Sequence, residues 1–102
     1  MSRFEALQQL IADDPNDAEL RYLLGLEHLN CGEHEQALLC FEDCLARNRD
    51  YAYAYFHASR SLLELGRREE ARSQASEGLE AARRARDSRA AAEIEDLIDE
   101  LE

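Results

Sequence analysis

The sequence predicts an all-α fold of antiparallel helix hairpins stacked as a repeat, with one further helix flanking them at each end. Three observations carry this. The first is a pattern that returns after 34 residues: Leu24, Gly25, Gly32, Ala37, Phe41, Cys44 and Leu45 are answered by Ala58, Ser59, Gly66, Ala71, Ala75, Gly78 and Leu79. A fixed period constrains the architecture before any single element is assigned. The second is composition. Valine and threonine are absent, and Ile11, Ile94 and Ile98 are the only β-branched residues in a chain dominated by Ala, Leu, Glu and Arg. That mixture favours helix and gives strands little to work with. The third is punctuation, since one proline and four glycines are few, and Pro15, Gly32 and Gly66 sit where helices should stop.

The elements follow in order. Ser2 to Ala12 is a short amphipathic helix capped by Ser2, with Phe4, Leu7, Leu10 and Ile11 at helical spacing. Pro15 stops it, because proline disfavours helix at the preceding residue. Stepping back 34 residues from Phe41 and Cys44 lands on Leu7 and Leu10. This helix is therefore expected to be the second half of an incomplete repeat. Asn16 or Asp17 caps the next helix, which runs to about Cys31, and Gly32 supplies the left-handed turn that commonly ends a helix. Another helix spans about Glu33 or His34 to Ala46, with Arg47 and Arg49 placed to suit its dipole. Tyr51 to Leu65 is ended by Gly66. The next helix starts near Arg67 and is expected to run as far as Arg86. Asp87 or Ser88 caps the last one. Its stripe is Ala90, Ile94, Leu97, Ile98 and Leu101, and Glu93, Glu95, Asp96, Asp99, Glu100 and Glu102 are expected to face away. The stripe is shifted by about two residues from strict register, which implies a lengthened preceding helix.

In 102 residues there is room for one domain and one core. The expected division is 1–16 as the half repeat, 17–50 and 51–86 as the two repeats, and 87–102 as a capping helix. Small residues should let the paired helices approach: Gly25 and Ser59 on the first helix of each pair, Ala37 and Ala71 on the second. Leucine at Ala37 or Ala71 should overpack by about 1–3 kcal/mol. Ala75 and Gly78, where Phe41 and Cys44 stand in the first copy, should leave space for the last helix to fill.

The formal net charge is −11, and all twelve bases are arginine. Such a chain repels phosphate backbones, so nucleic acid is not an expected partner. The arginines from Arg67 to Arg89 alternate with acids and read as a solvated, paired face. Acidity without lysine suits concentrated salt, with arginine-rich codon usage as the competing explanation. Six acids and no base follow Ala90. They crowd a helix C-terminus, which predicts docking that strengthens as salt screens the repulsion. Three cysteines and no secretory segment point to a reduced cytoplasmic home. No apolar run approaches the roughly 20 residues of a membrane span. His28, Cys31 and His34 supply at most three metal ligands, and Gly32 interrupts their helix. A core histidine and a small buried cysteine are expected instead. No metal, no cofactor and no catalytic constellation is expected.

The 34-residue period with Leu24-Gly25, Gly32, Ala37, Phe41 and the preceding Pro15 resembles the tetratricopeptide repeat (TPR) family. The likeness covers roughly Asp17 to Ala85. Arg21 stands where the family has an aromatic, which Tyr55 restores. His28 and Leu62 replace a usual tyrosine, and Arg49 and Arg83 a usual proline. The resemblance implies a right-handed α-solenoid of about two TPR repeats with flanking caps. It also implies a non-enzymatic interaction scaffold, whose first helices line a concave surface for a peptide or partner helix. Projected here, that surface comes from Glu19, Tyr22, Leu26, Leu29 and Asn30, then Tyr53, Phe56, Arg60 and Glu64. Some family members hold an acidic chaperone tail with lysine and asparagine. Here only Arg60 matches that chemistry, so an aromatic and aliphatic groove is expected instead. The alternative reading of the same apolar stripe is a homodimer surface of a self-assembling subunit, with intramolecular core third.

Overall fold

A computed structural model describes residues 1–102. Six helices and no strand make up the chain: α1 (Arg3–Asp13), α2 (Ala18–Asn30), α3 (His34–Arg47), α4 (Ala52–Glu64), α5 (Arg68–Arg84) and α6 (Ser88–Leu101). Each packs on its neighbour in sequence, and α4 also touches α6. The result is an α-solenoid in which α2–α3 and α4–α5 are successive hairpins. No helix is long and apolar enough to cross a membrane.

The joints repeat as the residues do. Asp17 N–H donates to the Asp14 carbonyl and Tyr51 N–H to that of Asn48, both at 3.2 Å and 34 residues apart. Within the hairpins, Glu33 N–H donates to the His28 carbonyl and Arg67 N–H to that of Leu62, each at 2.9 Å. Such bonds satisfy carbonyls that a helix end leaves orphaned, and they need a left-handed residue beside them. Gly32 (φ 72°) and Gly66 (φ 77°) supply it. Ser2, Asp17 and Asp87 accept the backbone N–H groups of Glu5, Leu20 and Ala90, capping α1, α2 and α6.

The α5–α6 joint is built like the hairpin turns, with Asp87 N–H donating to the Ala82 carbonyl at 2.9 Å. Its left-handed residue is Arg86, at φ 56°. The expected helix through Arg86 therefore stops at Arg84, because Arg86 has left the helical region to make the turn. Helix α5 still has 17 residues against 14 for α3. Accordingly α6 starts at Ser88, two residues beyond the position 34 after Ala52. A Cβ in this conformation costs on the order of 1 kcal/mol. Arg86→Gly is expected to recover most of that. Its urea midpoint should rise with an unchanged m-value, and a lower midpoint would show that the arginine side chain matters more than its backbone.

The core forms where small and large residues trade places between the copies. A Cβ on Gly25 would lie 2.5 Å from Phe41 Cε1, so this glycine exists to admit that ring. Thirty-four residues on, Ser59 and Ala75 replace the pair and both are fully buried. There the Ser59 hydroxyl donates to the Ala71 carbonyl at 2.6 Å. A Cβ on Gly78 would lie 2.5 Å from Tyr55 Cβ, whereas Ile94 Cδ1 would be 3.4 Å away. The space expected for the last helix at Gly78 is thus taken first by Tyr55, and α6 reaches it second. Tyr55 is in turn anchored by its hydroxyl, which donates to the Arg49 carbonyl at 2.8 Å.

Ile94, Leu97 and Leu101 of α6 are buried against this core. Arg72 and Arg68 of α5 donate to the Leu101 and Glu100 carbonyls at 2.7 and 3.2 Å. These cations offset the crowding of acids at the C-terminus of α6. At the other end, α1 buries Leu7 but leaves Leu10 49% exposed.

Candidate functional site

The first helices of the hairpins, α2 and α4, bring most of the expected surface residues to one face. Tyr22 of α2 lies 4.9 Å from Tyr51, 5.9 Å from Phe41 and 5.7 Å from His57, between ring centroids. His57 stacks on Phe41 at 5.7 Å and meets Phe56 edge-on at 5.1 Å. Phe56 meets Tyr53 at 6.4 Å, and the Arg60 guanidinium sits 5.8 Å from the Phe56 centroid. Tyr22, His57, Phe56 and Tyr53 therefore form one aromatic chain, with Arg60 over the Phe56 ring. Leu26 and Leu29 continue along α2, half-buried against the core. Asn30 is the exposed last residue of that helix. Tyr22, Leu26, Leu29, Tyr53 and Phe56 are each half-buried, so the stripe is neither closed core nor fully solvated.

His57 links the two halves of the chain. It is the fourth residue after Tyr53 and so shares its face, a spacing present in the sequence. Burial first, then Arg60, holds its imidazole below the ordinary value, while Glu93 pulls the other way. The unfolded chain takes up a proton near pH 6.5 that the native state resists. The stability this represents is present above that pH and is lost as pH falls toward the native pKa. Between pH 7.5 and 5, His57→Leu, which installs the residue of the equivalent position Leu23, should lose less melting temperature than the wild type. Equal slopes would remove His57 from the acid response.

Helix α6 supplies side chains to the same face. A cleft of about 200 Å³ lies between α4 and α6, lined by Phe56, Arg60, Glu93, Asp96, Leu97 and Glu100. Three acids expected to face away from the fold thus border the candidate surface. The longer α5 turns them there. Burial and adjacent Glu93 hold the Tyr53 hydroxyl above its ordinary range, and burial and Glu19 push that of Tyr51 up to about 12.

Cys31 is exposed at the C-cap of α2 rather than buried, because the chain turns there into Gly32. His28 Nδ1 lies 3.0 Å from Glu33 Oε1, and its ring meets Phe4 edge-on at 4.9 Å. Burial pushes the Cys40 and Cys44 thiols up to about 11 and about 12, far from the thiolate that reactive cysteines need.

A family model described as a tetratricopeptide repeat matches residues 2–82. A tetratricopeptide repeat domain protein of Salinibacter ruber, solved in solution, is 30% identical, with 87% of this chain and 90% of that one covered and a TM-score of 0.80. PcrH, solved in complex with the chaperone-binding region of PopD, is 23% identical, with 96% and 74% covered and a TM-score of 0.90. The Yersinia enterocolitica type III secretion translocator chaperone SycD is 18% identical, with 96% and 68% covered and a TM-score of 0.88. At these identities PcrH and SycD show a shared fold. No curated protein matches the sequence.

Proposed function

The chain belongs to the tetratricopeptide repeat family, and from that premise we propose that it is a non-enzymatic scaffold holding a protein segment on the surface formed by α2, α4 and α6. The observation that carries this is the half-exposed aromatic chain of Tyr22, His57, Phe56 and Tyr53. Aromatic side chains that offer broad apolar faces at a rigid surface are the usual anchors of protein interfaces. An apolar patch left open on a folded chain calls for an occupant. The fold shared with PcrH, whose structure contains a bound segment of PopD, supports the same reading. Leu26, Leu29 and Asn30 extend the surface along α2, and Arg60 closes it at the α6 side. A reducing cytoplasmic setting fits the three free cysteines.

The test is a selection of displayed peptides against the chain, followed by Phe56→Asp. Binding through this surface should weaken at least about tenfold, on the order of 1.4 kcal/mol. Leu39→Asp, at an exposed position of α3, should leave it unchanged. Selected peptides indifferent to Phe56→Asp would place recognition elsewhere. A stable dimer in solution with Phe56 protected would assign the surface to self-assembly.

A further inference from the structure

Building on the groove reading above, we infer that this surface selects its partner by charge: it takes an apolar segment of another protein whose lysine or arginine side chains lie along α6. Because α6 begins two residues late, its residues align with α4 at a spacing of 36 rather than 34. On that alignment Leu26, Arg60 and Asp96 form one row across the three helices. Asn30, Glu64 and Glu100 form the next, and Leu23, His57 and Glu93 a third. The surface therefore runs from apolar at α2 to acidic at α6.

The cleft at the acidic end is suited to a long basic side chain. Its floor is Phe56 and Leu97, and three carboxylates and one guanidinium border it. Of the three carboxylates, Glu93 is paired with Arg89 at 3.6 Å, while Arg83 engages Glu95 outside the cleft at 3.8 Å. Asp96 and Glu100 take part in none of the ion pairs. An aliphatic stem would cover Phe56 while its cationic head reaches those two carboxylates. Arg60, 5.8 Å from the Phe56 centroid and likewise free of any carboxylate, shows that this ring accepts a guanidinium. A second copy of the chain would bring a further net charge of −11 to an acidic surface, so complementarity favours a cationic partner.

The probe is the displayed-peptide library, selected in about 0.1 M salt, where the screening length is near 10 Å. Peptides that lose binding with Phe56→Asp should be enriched in lysine or arginine beside apolar anchors. Their affinity should fall at least about tenfold with the double substitution Asp96→Lys and Glu100→Lys, and should also fall in 1 M sodium chloride, where screening acts within about 3 Å. Both sites are exposed, and circular dichroism would verify that the helices persist. Selection against the double variant should turn toward acidic peptides. Peptides that need Phe56 yet show no basic enrichment and no loss with the double variant would overturn the charge inference and leave the groove intact. Peptides that never need Phe56 would overturn both. A dimer that dissociates on the double substitution would overturn the choice of occupant.

Discussion

Replacing Phe41 by alanine is expected to cost roughly 3–5 kcal/mol, and adding Gly25→Ser to the same chain is expected to return part of that loss. Phe41 is fully buried, so truncation leaves a cavity in a core that cannot collapse around it. Gly25→Ser alone should also be harmful, because its Cβ would lie 2.5 Å from a ring atom that has nowhere to go. Overpacking of this kind costs typically about 1–3 kcal/mol. The second hairpin already contains the small-ring-free solution at the equivalent positions, Ser59 with Ala75. Installing that pair in the first hairpin removes the clash and fills some of the cavity at once. Denaturant unfolding of the four proteins should therefore give a coupling of about 1–3 kcal/mol in favour of the double variant. A double variant as unstable as the summed single losses would show that the two pairs are not equivalent.

Removal of 88–102 is expected to abolish the cooperative unfolding transition and yield an aggregating chain. Ile94, Leu97 and Leu101 are at most 2% exposed. Burying each contributes roughly 1.5–3 kcal/mol, a sum comparable to the whole net stability of a small domain, about 5–15 kcal/mol. Deletion would also expose the apolar side of α5 and leave Arg68 and Arg72 without their carbonyl acceptors. Terminal helices in repeat proteins commonly have this capping role. Ile94→Ala offers a milder version, expected to cost about 2–5 kcal/mol. A monomeric truncation with an unchanged melting temperature would refute the cap.

The helices were legible in the sequence because every level agreed. Period, composition and glycine placement all pointed to hairpins, and the observed ends fall within a residue or two of the expected ones. What was not legible arose where contacts decide. Arg86 carries no sign of a left-handed turn, since nothing in an arginine announces one. The acids of α6 are largely exposed as read, but a helical stripe does not tell open solvent from the cleft that Glu93, Asp96 and Glu100 border beside α4. His57 was hidden by its type: a histidine on an apolar face belongs to no hydrophobic pattern, and only the rings around it reveal its place. Tyr22, Tyr53, Phe56 and Arg60 did fall together, since the repeat brings equivalent positions of α2 and α4 onto one side.

The exchange of volumes between the two hairpins has a bearing on how the chain finds its fold. Tandem hairpins of one pattern invite mispairing, because α3 follows α2 and precedes α4 with turns of similar length, and either neighbour is close at hand while the chain is still collapsing. Here the second helix of the first hairpin, α3, does not fit the first helix of the second, α4, in the hairpin position. Phe41 needs the bare backbone of Gly25 and would strike Ser59 at the same place on α4. Tyr55 needs Gly78 and would strike Cys44 on α3. A hairpin of α3 with α4 is thus rejected by overlap before it can mature. Chains in which the second hairpin is swapped for a copy of the first should lose that discrimination and refold more slowly, through trapped species visible as extra kinetic phases.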